Sequence, residues 1–287
     1  MTKVIERSLG NMENGRRPHI VIEPRRKFDI GLGELWKYRD LLLILATRDV
    51  KLRYKQTFLG VTWVILQPLV TAIIFTIVFG VFARLPSDGQ PYALFVFAGL
   101  LPWNLFSASL QRAGVSLVGN SALISKIYFP RILVPLASVG AVIIDFFVSF
   151  GVFIFLLIIY RVEMSNRVLI APYFLMLTLL AGMGVSLWIS AWSVYYRDFM
   201  FALPFIIQAW TYISPVAYAM SVVPTKWRWI FSINPAVGFI EGFRWAFLGS
   251  DSLTVEMVII STLASLILFI GGIFIFRRVE RGFADVI

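Results

Sequence analysis

The stretch RDVKLRYKQTFLGVTWVILQPL, residues 48–69, changes character part-way along. Arg48, Lys51, Arg53 and Lys55 crowd its first eight residues, and an apolar run then begins that continues past residue 80. A hydrocarbon core about 30 Å thick needs about 20 apolar residues in helix. Residues 61–83 supply 23 of them, or about 35 Å at the helical rise. Cations beside a span hold their side of it in the cytosol, so this junction sets the orientation of everything that follows.

Composition agrees with that beginning. Hydrophobic residues make up 59% of the chain and charged ones 15%, against about 25% charged in soluble domains. Mean hydropathy is +0.82. The chain therefore reads as a polytopic membrane protein. With no cysteine, disulfides, thiolate metal sites and cysteine nucleophiles are excluded. His19, the single histidine, lies in a polar tail, where solvation is the simplest reading, and no metal site is expected. The net charge of +10 does not signal nucleic acid, because 13 of the 26 cations precede residue 56 and no binding motif accompanies them. Residues 1–30 lack the apolar core of a cleavable leader and are expected to remain in the cytosol.

Three regions follow from the pattern: a polar tail over 1–30, an amphipathic helix over 31–57, and a membrane domain over 58–287. In the second, Leu32, Leu35, Trp36, Leu43, Ala46 and Val50 recur at helical spacing, which predicts a helix lying in the membrane interface. Spans are predicted at 61–83, 92–110, 133–160, 168–192, 199–219 and 253–276, the first kinked at Pro68. Residues 111–131 are too polar to cross and read as a cytosolic loop carrying a short helix; 195–198 makes a tight turn. Between spans five and six, residues 221–250 are too interrupted for a span and too apolar for a loop, which predicts re-entrant helices at the outer side. The fold class is thus all-α integral membrane, with six transmembrane helices. In this arrangement 20 cations lie inside and 6 outside; without the N-terminal region the count is 7 against 6, so the first junction carries the orientation.

Little points to catalysis. No phosphate-cradling G-x-x-x-x-G-K-[ST] pattern occurs, nor a zinc-protease or nucleophile-elbow motif. Asp145 is the one acid well inside a predicted span, where a charge costs about 2.5–3.5 kcal/mol on insertion scales. A Ser, Tyr or cation on a neighbouring helix is its expected partner. Aromatics reach 16%. Phe75, Phe79, Phe205, Trp210 and Tyr212, on the first and fifth spans, have the stacking surfaces of a sugar path, although core packing accounts for any one of them as well.

Four segments in order carry a resemblance: residues 48–69, NSALISKIYFPR at 120–131, YRDF at 196–199, and Asn234-Pro235 with Arg244 ten residues after Asn234. From about residue 31 onward the chain resembles the ABC-2 type permeases of polysaccharide export, those of O-antigen and capsule first, those of teichoic acid close behind. The resemblance implies a homodimer in the cytoplasmic membrane of a bacterium, with cytosolic termini, served by two copies of a separate ABC ATPase that uses ATP and magnesium. This chain would then bind no cofactor and catalyse no reaction. The cargo implied is an undecaprenyl diphosphate-linked polysaccharide passing between protomers. Ser121, Leu123, Ile124, Lys126, Phe129 and Arg131, with Arg197 and Asp198, would couple to the ATPase. Asn234, Pro235, Glu241 and Arg244 would shape the outer re-entrant segment, and Arg48, Lys51, Arg53 and Lys55 would meet the diphosphate headgroup, alongside their role in topology. Other classes stay open: an ABC-2 exporter of drugs or small lipids, a membrane-embedded glycan-processing enzyme, and a secondary transporter working without an ATPase.

Overall fold

The computed structural model describes residues 36–55, 62–127 and 129–283. The polar tail with His19, the positions Leu32 and Leu35, the linker 56–61, Tyr128 and residues 284–287 lie outside the described residues. Among the described residues every regular element is helical, and five helices are long and apolar enough to cross a membrane.

In chain order they are α1 (Arg39–Lys55), α2 (Thr62–Phe75) continued by a π-helical segment (Thr76–Phe82), α3 (Tyr92–Gly119), α4 (Ser121–Lys126) and α5 (Leu133–Ile159). After a 3-10 turn (Asn166–Ile170) come α6 (Ala171–Tyr195), α7 (Asp198–Ile213), α8 (Thr225–Ser232), α9 (Pro235–Leu248) and α10 (Val255–Val279). Pro68 is buried within α2, and the departure from α-geometry lies further on, in the π-helical segment. There a Cβ on Gly80 would meet the Tyr92 ring at 2.9 Å, so the glycine permits that approach.

The least apolar of the five long helices is the most buried: 78% of the α3 window is inside the protein, against 17% for α2 and α10. Facing helices rather than lipid, α3 has no need of a uniformly apolar surface and carries small residues instead. Ser107, Ser109, Gly114 and Ser116 are all buried on it. A Cβ on Gly114 would come within 2.8 Å of Ile189 on α6 and 3.1 Å of Leu203 on α7.

Two predicted boundaries are corrected. The second helix does not stop at residue 110 but runs to Gly119, because Ala113, Gly114, Ser116 and Leu117 continue its buried face beneath polar Gln111 and Arg112. Conversely, the fifth helix does not reach residue 219. It ends at Ile213 after 16 residues, about 24 Å of helix, short of the lipid core. Ser214, forced away from helical geometry by Pro215, is extended at φ −89° and ψ 147°.

Two short helices, α8 and α9, lie in the segment read as re-entrant. Asn234 caps α9, its side-chain oxygen accepting from the Ala236 amide at 3.1 Å, with Pro235 at the first helical position. Gly249, at φ +70°, ends the helix in the left-handed conformation that glycine tolerates. Elsewhere α6 and α10 meet backbone to backbone: a Cβ on Gly272 would lie 2.4 Å from the Gly184 carbonyl oxygen.

Candidate functional site

The cationic junction is docked on the bundle. Leu45 of α1 is buried, Leu41 and Leu42 pack on an apolar cluster that includes Leu133, Val134 and Phe276, and Ala46 lies close to Gly140 of α5. Leu43, on the apolar stripe of the predicted interfacial helix, is 62% exposed, as are Trp36, Ile44 and Leu52 to similar extents. Two apolar surfaces therefore flank α1, one for protein and one left for lipid.

Polar contacts fix it further. Arg48 donates to Asp49 at 2.8 Å and to the Asn120 side-chain oxygen at 2.7 Å, reaching the residue that separates α3 from α4. Ser138 of α5 donates to Asp49 at 3.3 Å. Asp145 accepts from Arg53 and from the Tyr54 hydroxyl, while Arg112 of α3 stands 3.8 Å away. The intramembrane acid thus has two cations and a phenol around it. Burial, then the hydrogen bond to Asp145 and that carboxylate's charge, push the Tyr54 phenol up to about 12, so it stays a donor at physiological pH. Lys51 and Lys55 are exposed.

Replacing Asp145 with alanine is expected to loosen α1, at about 1–3 kcal/mol given the partial exposure of the pair. Tyr54→Phe should cost about 1 kcal/mol. Proteolytic cleavage within α1 reads this: Asp145→Ala should be cut faster than the parent, and equal rates would mean that the pair does not hold the helix.

At the same end of the bundle, α4 sits over a cluster joining Leu117, Ile124, Phe129, Val194, Phe276 and Phe283. Ile124 and Phe129 are buried, Leu123 packs alongside, Ser121 is half-buried, and Lys126 is exposed. Arg131 ties the segment to the end of α10: its amide donates to the Glu280 carboxylate at 3.0 Å and its guanidinium to the Glu280 carbonyl at 2.7 Å. The Tyr195 ring packs at a tilt against Phe283, centroids 6.2 Å apart, which brings the 195–198 turn to this end, with Tyr196, Arg197 and Asp198 exposed.

Arg244 and Glu241 lie at the other end, both fully buried. The Arg244 guanidinium donates to Glu241 at 2.8 Å and to the carbonyls of Pro215 and Val216 at 2.7 Å, Phe95 at 3.2 Å and Tyr218 at 3.2 Å. Ser252 donates to the second Glu241 oxygen. One arginine thereby satisfies the carbonyls freed where α7 breaks and straps them to α3 and α9. Asn234 joins the same break, accepting from the Trp210 indole at 3.0 Å and donating to Ser214 at 2.9 Å.

The five aromatics do not share one surface in the protomer. Phe75 and Phe79 pair edge-on at 5.3 Å. Trp210 packs on Phe106 at 5.1 Å, whereas Phe205 and Tyr212 are 75% and 60% exposed on α7. Sequence reasoning passed over Tyr54, Arg112, Asn120 as a side-chain partner, Ser214, Ser252 and Glu280. Their partners are remote in sequence, and only the break signalled by Ser214 before Pro215 was readable locally.

A family model described as ABC-2 type transporter matches residues 40–248. An O-antigen export system permease protein RfbA of Klebsiella pneumoniae is 30% identical over 262 residues, covering 91% of this chain and 99% of the relative. The RfbA protein of Myxococcus xanthus is 25% identical, over 88% of this chain and 98% of its own length. The polysialic acid transport protein KpsM of Escherichia coli is 23% identical, over 79% and 89%.

Proposed function

Since the chain belongs to the ABC-2 type transporter family, we infer that it is the membrane-spanning permease subunit of a polysaccharide exporter, a transport protein and not an enzyme. The observation that carries this is the end-to-end match with O-antigen permeases, 99% of the Klebsiella relative's length. KpsM, named for polysialic acid transport, adds a second polysaccharide to the cargoes named among the relatives.

The positions of these parts support a finer mechanism. The end of the bundle bearing α4 and the 195–198 turn is taken as cytosolic, in keeping with the cation bias, and is the docking face for a separate ABC ATPase. Lys126 and Arg197 stand exposed there, while Ile124 and Phe129 are rooted in the apolar cluster beneath. A push on α4 is passed through Asn120 to Arg48 and so to α1. The polymer, carried on a lipid diphosphate, crosses between two copies of the chain along the exposed faces of α2 and α7. With α7 completing the path, α8 and α9 form the outer re-entrant segment. Of the four junction cations, Lys51 and Lys55 are the ones turned to solvent and headgroups, Arg48 and Arg53 being held by acids.

Co-reconstitution of the permease with its ATPase and a lipid-linked polysaccharide tests both levels. ATP-dependent appearance of polymer on the far side is expected. Lys126→Glu with Arg197→Glu should cut transport about tenfold or more at near-normal folded yield by weakening a charged docking rim. Transport without ATPase would point to a secondary transporter, and transport of small amphiphiles alone to a drug or lipid exporter.

A further inference from the structure

A helix of six residues such as α4 has little stability of its own, so its place is set by what holds its ends. One end is Asn120, bonded to Arg48. At the other the chain leaves helical geometry at Ile127, φ −127° and ψ 133°, and runs on to Arg131. Pro130 has no N–H to give, so Arg131 supplies the first amide donor after Phe129. That amide goes to the Glu280 carboxylate at 3.0 Å, 149 residues away in sequence. An ionised acceptor makes such a bond stronger than a neutral one would.

Glu280 opens the 3-10 turn Glu280–Gly282 that follows α10. Its side chain is only 14% exposed, and its second carboxylate oxygen accepts from Arg277 at 3.3 Å. The Arg131 guanidinium adds a bond to the Glu280 carbonyl at 2.7 Å and lies 5.8 Å over the Phe283 ring. On its other side the same turn meets α6. Phe283, fully buried, packs against Tyr195 at 6.2 Å and Phe276 at 5.7 Å. A Cβ on Gly282 would collide with the Tyr195 hydroxyl, so the turn fits there only without a side chain.

The segment carrying α4 and the 195–198 turn therefore share one neighbour, although neither is near it in sequence. We propose that Glu280 is a positioning residue: through the Arg131 amide it clamps the α4 segment to the turn after α10, so that α4, the 195–198 turn and the base of α10 move as one body. The proposal deepens the permease reading, on which it rests for the ATPase that moves them. A push on either segment then reaches α10 as well as α1. With the clamp open, α4 shifts alone and ATP is hydrolysed without transport.

The test follows amide hydrogen exchange over residues 127–134 and 195–200 of the full-length permease in nanodiscs. Glu280→Ala should speed exchange about tenfold in both segments. Glu280→Gln keeps an acceptor for the Arg131 amide and should stay within about threefold of the parent. Loss of protection confined to 127–134 would overturn the clamp, leaving a bond without reach. Equal loss in the two variants would also overturn it, leaving only an ion pair with Arg277. Gly282→Ala approaches from the other side without touching Glu280: its Cβ displaces Tyr195, and exchange should rise over 127–134 too. No rise there would overturn the proposal even if the alanine variant at Glu280 failed to fold. Reconstituted with the ATPase and a lipid-linked polysaccharide, Glu280→Ala should move about fivefold less polymer per ATP hydrolysed, at an unchanged KM for ATP. An unchanged ratio would overturn the positioning role. A parent permease that moves no polymer, with the exchange pattern as expected, removes the exporter reading and leaves the clamp standing.

Discussion

Arg244→Met should destabilise the permease by about 3–5 kcal/mol, the cost of leaving one member of a buried ion pair alone. The substitution keeps much of the volume, so packing is not the issue. Glu241 would be left fully buried without its cation, and the carbonyls of Pro215 and Val216 without their donor. Lysine is no substitute, because a single ammonium cannot span four carbonyls and a carboxylate. Gly99 shows how closely the cage is fitted: a Cβ there would lie 2.8 Å from an Arg244 guanidinium nitrogen. Thermal unfolding and monodisperse yield in detergent read the effect. Pairing Arg244→Met with Glu241→Leu should recover part of the loss by removing the stranded charge. A single variant melting within about 2 °C of the parent would show that the pair contributes little.

A loss of comparable size is expected for Gly184→Val. A Cβ at that position would meet the Leu268 backbone at 2.6 Å and the Phe269 amide nitrogen at 2.6 Å, and a Cβ on the facing Gly272 would meet the Gly184 carbonyl in turn. No rotamer change relieves a clash with backbone, so α6 and α10 must move apart. Overpacking usually costs about 1–3 kcal/mol, and separation of two helices along a shared small-residue seam adds lost contacts to that. Gly151→Ala is the control: no atom comes within 4 Å of a Cβ built there, and a gain of up to about 1 kcal/mol from helix propensity is expected. If Gly184→Val melts like Gly151→Ala, the close approach of α6 and α10 is not what holds them.

The first, third, fourth and sixth spans were legible within a few residues, since each is exposed to lipid along much of its length and so must be apolar throughout. Errors fell where burial by protein replaced burial by lipid. The second helix was cut short at Gln111 because its lower half carries polar side chains on one side and small buried ones on the other. The fifth was drawn too long because Val216, Ala217 and Ala219 are apolar, although the chain there is held open by Arg244 and not by helical hydrogen bonds.

The same division separates the site residues. Residues 48–69 by themselves determined that this is a membrane protein and where its first span begins, because transfer from water to hydrocarbon is a property of local composition. Which cations are engaged was decided only by tertiary structure. Arg53 meets Asp145 across 92 residues of sequence and Arg48 meets Asn120 across 72. Ion pairs within a helical bundle depend on which faces pack together, and no periodicity along one helix records the face of another.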